Sequence, residues 1–180
     1  MWRNRPKIVW NTRSIVMLAV MVSISIVLTR FLSINVGGFF RLSLGSISTI
    51  LTGLWFGPIA GFTAGAAADV LGLMLAPSGV WLPLITFSAG LWGVIPAFLS
   101  GLITGTRRHK VLMICVIVVI TSFLCQGLLT TFALIGVYGS GIIPSRAVQF
   151  FCSTPVYCIV VSMLYESPLT AVIREGRKID

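Results

Sequence analysis

The sequence predicts an all-α integral membrane protein, a compact bundle of six transmembrane helices that forms a single domain over residues 1–180. Hydrophobic residues make up 57% of the chain and charged residues 9%, which is more apolar than a soluble domain requires. Apolar stretches long enough to cross a bilayer recur along the whole length. The net charge of +9 comes mostly from cations at the ends of these stretches, where membrane topology explains them without a nucleic-acid partner.

The first predicted helix, residues 14–32, follows a basic segment at residues 1–13. The apolar run lacks a clear small-residue cleavage site and further spans follow it, so we interpret it as a retained helix and not as a signal peptide. Ala19 and Ser23 lie four residues apart in it, a spacing of small residues that suits helix–helix contact.

The second and third predicted helices, residues 42–56 and 59–75, meet at Gly57 and Pro58, because proline and the residue before it interrupt a helix. Small residues in the third helix predict close approach of neighbouring backbones. Asp69 lies near the outer end of this helix, and a lone acid in an apolar span is expected to face protein or a polar cavity. A structural role in holding the outer loops is the favoured interpretation, and a direct role in ligand binding or gating is the alternative.

The remaining helices are predicted at residues 81–103, 111–137 and 146–164, before a charged tail at residues 165–180. With six spans, residues 1–13, the basic loop at 107–110 and the tail all lie on one side of the membrane. These three segments hold ten of the thirteen Lys and Arg residues. The excess of cations on the cytoplasmic side of membrane proteins therefore predicts that both termini are cytoplasmic.

The sequence argues against an enzyme. It contains no Walker motif, no paired carboxylates and no cluster of metal ligands, and it has four acids in total. The four cysteines fall inside predicted spans, where they are interpreted as small buried hydrophobic residues. No metal and no cofactor are expected.

Binding of an anionic ligand has more support. Arg41 and Arg146 lie at outer ends of predicted spans, where cations are disfavoured, and guanidinium groups suit carboxylate recognition. Aromatic residues near the outer loops indicate either an interfacial belt or a stacking platform for a flat ring. Polar residues that recur on one helix face need a common interior, which a ligand cavity or interhelical hydrogen bonds would supply. These residues are Ser88 near Trp92; Ser122, Gln126 and Thr130; and Arg146, Gln149 and Ser153.

Three motifs carry a family resemblance: Arg41-Leu-Ser-Leu-Gly45, Phe56-Gly-Pro-Ile-Ala-Gly61, and the glycine-rich stretch from Gly65 to Asp69 that continues to Gly72. From about residue 15 to residue 165 the chain resembles the substrate-binding S components of energy-coupling factor (ECF) transporters, which capture vitamins in bacteria. Within that family it is most similar to the folate-specific subunits.

The resemblance implies a multi-pass protein of the bacterial cell membrane that binds folate or a related vitamin under the outer loops at residues 33–41, 76–80 and 138–145. It also implies a separate transmembrane coupling subunit with two cytoplasmic ATPase subunits, so that partners hydrolyse the ATP. Ala19 and Ser23 occupy the place of the family's docking residues, with serine in place of the usual second alanine.

Folate has a flat pterin ring and a glutamate tail with two carboxylates. The stacking candidates are Phe39, Trp81 and Trp92, the candidates for the carboxylates or the pterin edge are Arg41 and Arg146, and those for polar contacts are Ser43, Ser88 and Gln149.

Two alternatives remain open. One is another vitamin on the same scaffold, riboflavin or pantothenate, whereas the scarcity of acids disfavours thiamine. The other is a membrane assembly subunit without a ligand, whose outer arginines would bind lipid.

Overall fold

The computed structural model describes residues 12–36, 40–75, 82–103, 106–167 and 170. In these ranges the chain is helical apart from one short hairpin. The first half contains α1 (Thr12–Arg30), β1 (Ile34–Val36), β2 (Phe40–Leu42), α2 (Gly45–Phe56), α3 (Pro58–Leu75) and α4 (Pro83–Leu99). The second half contains α5 (Arg107–Ser122), a π-helical segment (Phe123–Thr130), α6 (Thr131–Tyr138) and α7 (Ile143–Glu166), with 3-10 turns at Ser100–Leu102 and Ser140–Ile142.

Five helical segments are long and apolar enough to cross a membrane: Thr12–Arg30, Pro58–Leu75, Pro83–Leu102, Arg108–Val137 and Ile143–Glu166. They coincide with the predicted first, third, fourth, fifth and sixth helices. The segment Arg108–Val137 is one continuous rod, because α5, the π segment and α6 follow each other without a break. The prediction of a multi-helix membrane protein is confirmed.

Helix α2 differs from the prediction in length. It was expected to begin at residue 42, but Leu42 pairs with Ile34 across the antiparallel hairpin, so its backbone belongs to a strand. The helix begins at Gly45, has 12 residues and is therefore about 18 Å long, well short of the ~30 Å hydrocarbon core. Of these residues all except Ser46 are buried, so α2 is a core helix.

The turn between α2 and α3 lies where the sequence predicted it. Gly57 has a φ of 98°, a conformation that glycine adopts without steric cost, and its N–H donates to the carbonyl of Gly53 at 3.0 Å. Pro58 then opens α3, where a missing N–H costs no helical hydrogen bond.

Glycines bring α2, α3 and α4 into backbone contact. A Cβ atom added at Gly53 or at Gly61 would collide with the backbone of Gly93 on α4, and one at Gly65 would collide with the carbonyl of Ala89. The predicted close approach through small residues is therefore present, and it fixes the positions of the three helices that form most of the cavity described next.

Candidate ligand-binding site

A cavity of about 150 Å³ opens among the helices at the end of the bundle that carries the β-hairpin, called here the hairpin end. Helices α1 to α4 and the π segment all contribute to its wall. The lining consists of Ser25, Thr29, Ser43, Gly45, Ser46, Thr49, Gly65, Ala68, Asp69, Ile85, Ser88, Ala89, Trp92 and Thr130. Hydroxyl groups, small residues, one indole and one carboxylate thus form a polar interior in an otherwise apolar bundle.

The wall between α1 and α2 depends on a glycine. Ser25 Oγ donates to the carbonyl of Gly45 at 3.1 Å, and Thr29 Oγ1 donates to the carbonyl of Ser25 at 2.7 Å. A Cβ atom at position 45 would collide with the Thr29 hydroxyl. Glycine therefore lets the start of α2 lie directly against α1.

The opposite wall is joined to the π segment by shared hydrogen bonds. Ser88 Oγ donates to the carbonyl of Cys125 at 3.1 Å, and Thr130 Oγ1 donates to the same carbonyl at 2.8 Å. The two hydroxyl oxygens are 3.2 Å apart. Thr130 lies five residues after Cys125, so the wide π turn brings its hydroxyl into the cavity wall; such turns often occur at functional sites.

Asp69 presents its carboxylate to the cavity from α3. Its Oδ2 atom accepts a hydrogen bond of 2.7 Å from Thr86 Oγ1 on α4. The expectation that this acid faces protein or a polar cavity is therefore met on both counts, since one contact is to a neighbouring helix and the residue lines the cavity.

Trp92 forms the aromatic part of the wall. Its ring meets Tyr157 of α7 edge-to-face, with ring centroids 5.5 Å apart and an interplanar angle of 88°. The Tyr157 hydroxyl donates to the carbonyl of Ser43 at 2.6 Å, which ties α7 to the segment between the hairpin and α2. Tyr157 was not singled out from the sequence, although it lies four residues after Ser153 and so continues the polar face recognised on that helix.

The polar faces of the π segment and α7 meet behind this wall. Ser153 Oγ donates to Gln126 Oε1 at 3.2 Å, which is one of the interhelical hydrogen bonds that the sequence allowed. The bond from the Ser88 hydroxyl on α4 to the Cys125 carbonyl of the π segment is another. Ser122 was also expected to bond to a neighbour, but its buried hydroxyl has no partner among the described residues.

The predicted ligand residues are distributed unevenly. Ser43, Ser88 and Trp92 line the cavity. Arg146 and Gln149 lie outside this lining near the start of α7, where Arg146 Nη1 donates to Gln149 Oε1 at 2.9 Å. Arg41 lies on β2 opposite Asn35, whereas Phe39 and Trp81 lie outside the described residues.

The structure adds lining residues that sequence reasoning did not assign to a ligand: Ser25, Thr29, Ser46, Thr49 and Thr130. The sequence indicates these residues only weakly, because a serine or threonine in an apolar helix can bond to its own helix backbone whether it faces lipid or the cavity.

Ala19 and Ser23, the predicted docking residues, are exposed on α1, where Ser23 Oγ donates to the carbonyl of Ala19 at 2.9 Å. Large apolar side chains surround them on the same helix: Ile15, Val16, Val20, Ile24 and Val27 are 40–56% exposed. This surface of α1 is apolar and unoccupied by the rest of the described chain. No cluster of three potential metal ligands occurs among the described residues.

An apolar helical bundle that encloses a hydroxyl-rich cavity at one end defines a class of protein, a membrane protein that binds a small molecule. Residues 9–173 match the sequence model of the ECF-type riboflavin transporter S components, and the chain belongs to this family. The resemblance stated from the sequence motifs is thereby confirmed at the level of the family.

The chain is also similar to individual folate transporters. The folate transporter FolT of Clostridium novyi (strain NT) is 41% identical over 78 residues, which is 43% of this chain and 45% of that protein. The match thus spans less than half of the relative's length. A crystal structure of FolT bound with folic acid is similar over 86% of this chain and 93% of that one, with a TM-score of 0.72 and 25% identity. The S component of a bacterial ECF transporter matches with a TM-score of 0.58 at 18% identity over 84% of this chain and 95% of that one, which supports the fold alone.

Proposed function

We propose that this S component captures folate in the cavity at the hairpin end and delivers it into the cell as part of an ATP-driven ECF-type importer. The observation that carries the choice of folate is the similarity, over most of both chains, to FolT bound with folic acid. The polar cavity is a candidate binding site for folate. The local 41% identity to a folate transporter also supports the choice of folate.

The ring system enters the cavity, where Trp92 offers an aromatic face and Ser43 and Ser88 offer polar atoms. The cavity volume of about 150 Å³ is below the ~300 Å³ at which pockets for drug-sized ligands begin, so the described walls enclose part of such a ligand. Arg41, Arg146 and Gln149 complete the site at the mouth, and Phe39 and Trp81, which lie outside the described residues, remain stacking candidates from the sequence. The packing of α7 against β2, which carries Arg41, supports this arrangement.

The chain crosses the membrane six times, with the hairpin end outside and both termini in the cytoplasm. The concentration of Lys and Arg at the two termini and in the loop at residues 107–110 supports this orientation. A separate transmembrane coupling subunit docks on the exposed face of α1 around Ala19 and Ser23. Two ATPase subunits bound to that coupling subunit supply the energy.

A second candidate ligand is riboflavin, which the name of the matching family favours. Purified protein in detergent distinguishes the two when titrated with folic acid, riboflavin and pantothenate while ligand binding is followed by calorimetry. We expect folic acid to bind most tightly, and the Trp81→Ala and Arg146→Ala variants to bind it more weakly. Tighter binding of riboflavin would overturn the choice of folate, and wild-type affinity in both variants would remove those residues from the site.

A further inference from the structure

Asp69 is the ionisable residue in the described cavity lining, and its carboxylate can accept more hydrogen bonds than the protein supplies. An ionised carboxylate has about four acceptor sites, of which the Thr86 hydroxyl occupies one. Ala68, the preceding residue on α3, has a small side chain and lines the same cavity. The cavity therefore presents an acceptor with negative charge to whatever occupies it.

Such a carboxylate favours a ligand with hydrogen-bond donors. Asp69 is half-buried, and hydrogen bonds to an ionised acceptor are shorter and stronger than neutral ones. The same charge repels a carboxylate of the ligand. The glutamate tail of folate is therefore unsuited to the space beside Asp69, and the ring system is suited to it.

The pterin ring has a matching edge. Its ring N3–H and its 2-amino group are adjacent donors that point the same way, and their separation fits the two oxygens of one carboxylate. We propose that Asp69 recognises this edge with a pair of hydrogen bonds, so that the pterin enters the cavity first and the glutamate tail extends to the mouth. This inference rests on the proposed folate function and adds the orientation of the ligand and the group that selects its ring.

The same contact discriminates against riboflavin. The corresponding edge of the flavin ring has one N–H between two carbonyl oxygens, so a carboxylate facing it meets one donor and two acceptors. Carboxylate and carbonyl oxygens that face each other without a proton between them lower the affinity for riboflavin, even if its shape fits the cavity. Asp69 would thus favour folate over riboflavin through the hydrogen-bonding pattern of the ring and not through its size.

The test uses full-length protein in detergent and compares folic acid with an analogue that carries hydrogen in place of the 2-amino group. Wild-type protein should bind the analogue more weakly, because one of the two donors is missing. The Asp69→Asn variant keeps an oxygen for the Thr86 hydroxyl and removes the charge. We expect it to weaken binding of folic acid by about 10- to 100-fold, the range for charge-assisted hydrogen bonds. Its effect on the analogue should be clearly smaller.

The Thr86→Val variant is the matched control, since it removes the hydroxyl and leaves the carboxylate; it should retain the preference for folic acid over the analogue. Equal losses for folic acid and the analogue in Asp69→Asn, or no loss for either, would show that Asp69 is structural. Equal affinity of the wild-type protein for both compounds overturns the proposal without any variant. Failure of wild-type protein to bind folic acid at all would instead overturn the proposed function.

Discussion

At the scale of single residues, glycines determine how closely the helices of this molecule pack. Gly45 leaves room for the Thr29 hydroxyl, and a Cβ atom at Gly72 would lie 2.9 Å from Nε of Arg30. Contact between α3 and α4 has the same basis, since Gly61 and Gly93 lie backbone to backbone. The stability of the bundle should therefore be most sensitive to added methyl groups at these contacts.

Gly93→Ala tests this expectation. Its Cβ atom would lie 2.5 Å from backbone atoms of Gly61, so α3 and α4 must separate, and overpacking of this kind costs about 1–3 kcal/mol. We expect a lower midpoint of thermal unfolding in detergent. Gly136→Ala is the matched control, because nothing lies within 4 Å of its added methyl group. Equal midpoints for the two variants would contradict the role given to the glycine contact.

At the scale of elements, the long helices were predictable from the sequence, whereas the short strands, the start of α2 and the π segment were not. The five long spans have apolar runs that fix their positions, and the turn at Gly57 and Pro58 has an unambiguous signal. The short strands and the delayed start of α2 depend on backbone pairing across a hairpin, between Ile34–Val36 and Phe40–Leu42. The π segment has no compositional signature, because its distinguishing feature is a hydrogen-bond pattern.

The same limit applies to the site. Ser88 and Trp92 were recognisable because a polar and an aromatic residue one turn apart share a face. Thr49 was not, because a threonine inside an apolar helix has the same local sequence context on the lipid side and on the cavity side. Asp69 was recognised as unusual, but its presence in the cavity required the geometry of α3 against α4.

Helix α1 carries a prediction of its own. If its exposed face docks the coupling subunit, Ser23→Leu should disrupt co-purification of the complete transporter by adding bulk at a close contact. Folic acid binding by the isolated chain should persist, because Ser23 is exposed and outside the cavity lining. Ser162→Leu on α7 is the matched control, since Ser162 also bonds its own helix backbone. Retention of the complex in Ser23→Leu, or its equal loss in both variants, would argue against docking on α1.

At the scale of the whole molecule, the number of crossings depends on α2. Five helices are long enough to span the bilayer, and α2, which is about 18 Å long, is buried among other helices instead of facing lipid. A buried helix can complete a crossing together with the segments that cover its ends. In the six-pass arrangement proposed above, the basic segments of the chain fall on a single side of the membrane.

Reporter fusions measure this directly. We expect a fluorescent protein at the C-terminus to fluoresce, an alkaline phosphatase at the same position to be inactive, and the same pair of results at the N-terminus. If α2 returned to the side on which it started, the chain would cross five times and the termini would give opposite results. A fusion after residue 109, within the basic loop, should match the termini in the six-pass arrangement.

The π segment has a consequence for how this chain relates to its family. A single π turn is geometrically equivalent to an α-helix that has gained one residue, and each residue of an α-helix turns the chain by about 100°. Relatives that remain α-helical at this point should be one residue shorter between positions 123 and 130. Pairwise alignments should therefore contain a gap inside an uninterrupted helix, where gaps are otherwise rare. A deletion there would keep the membrane span intact while rotating α6 and the residues after it to a different side of the bundle.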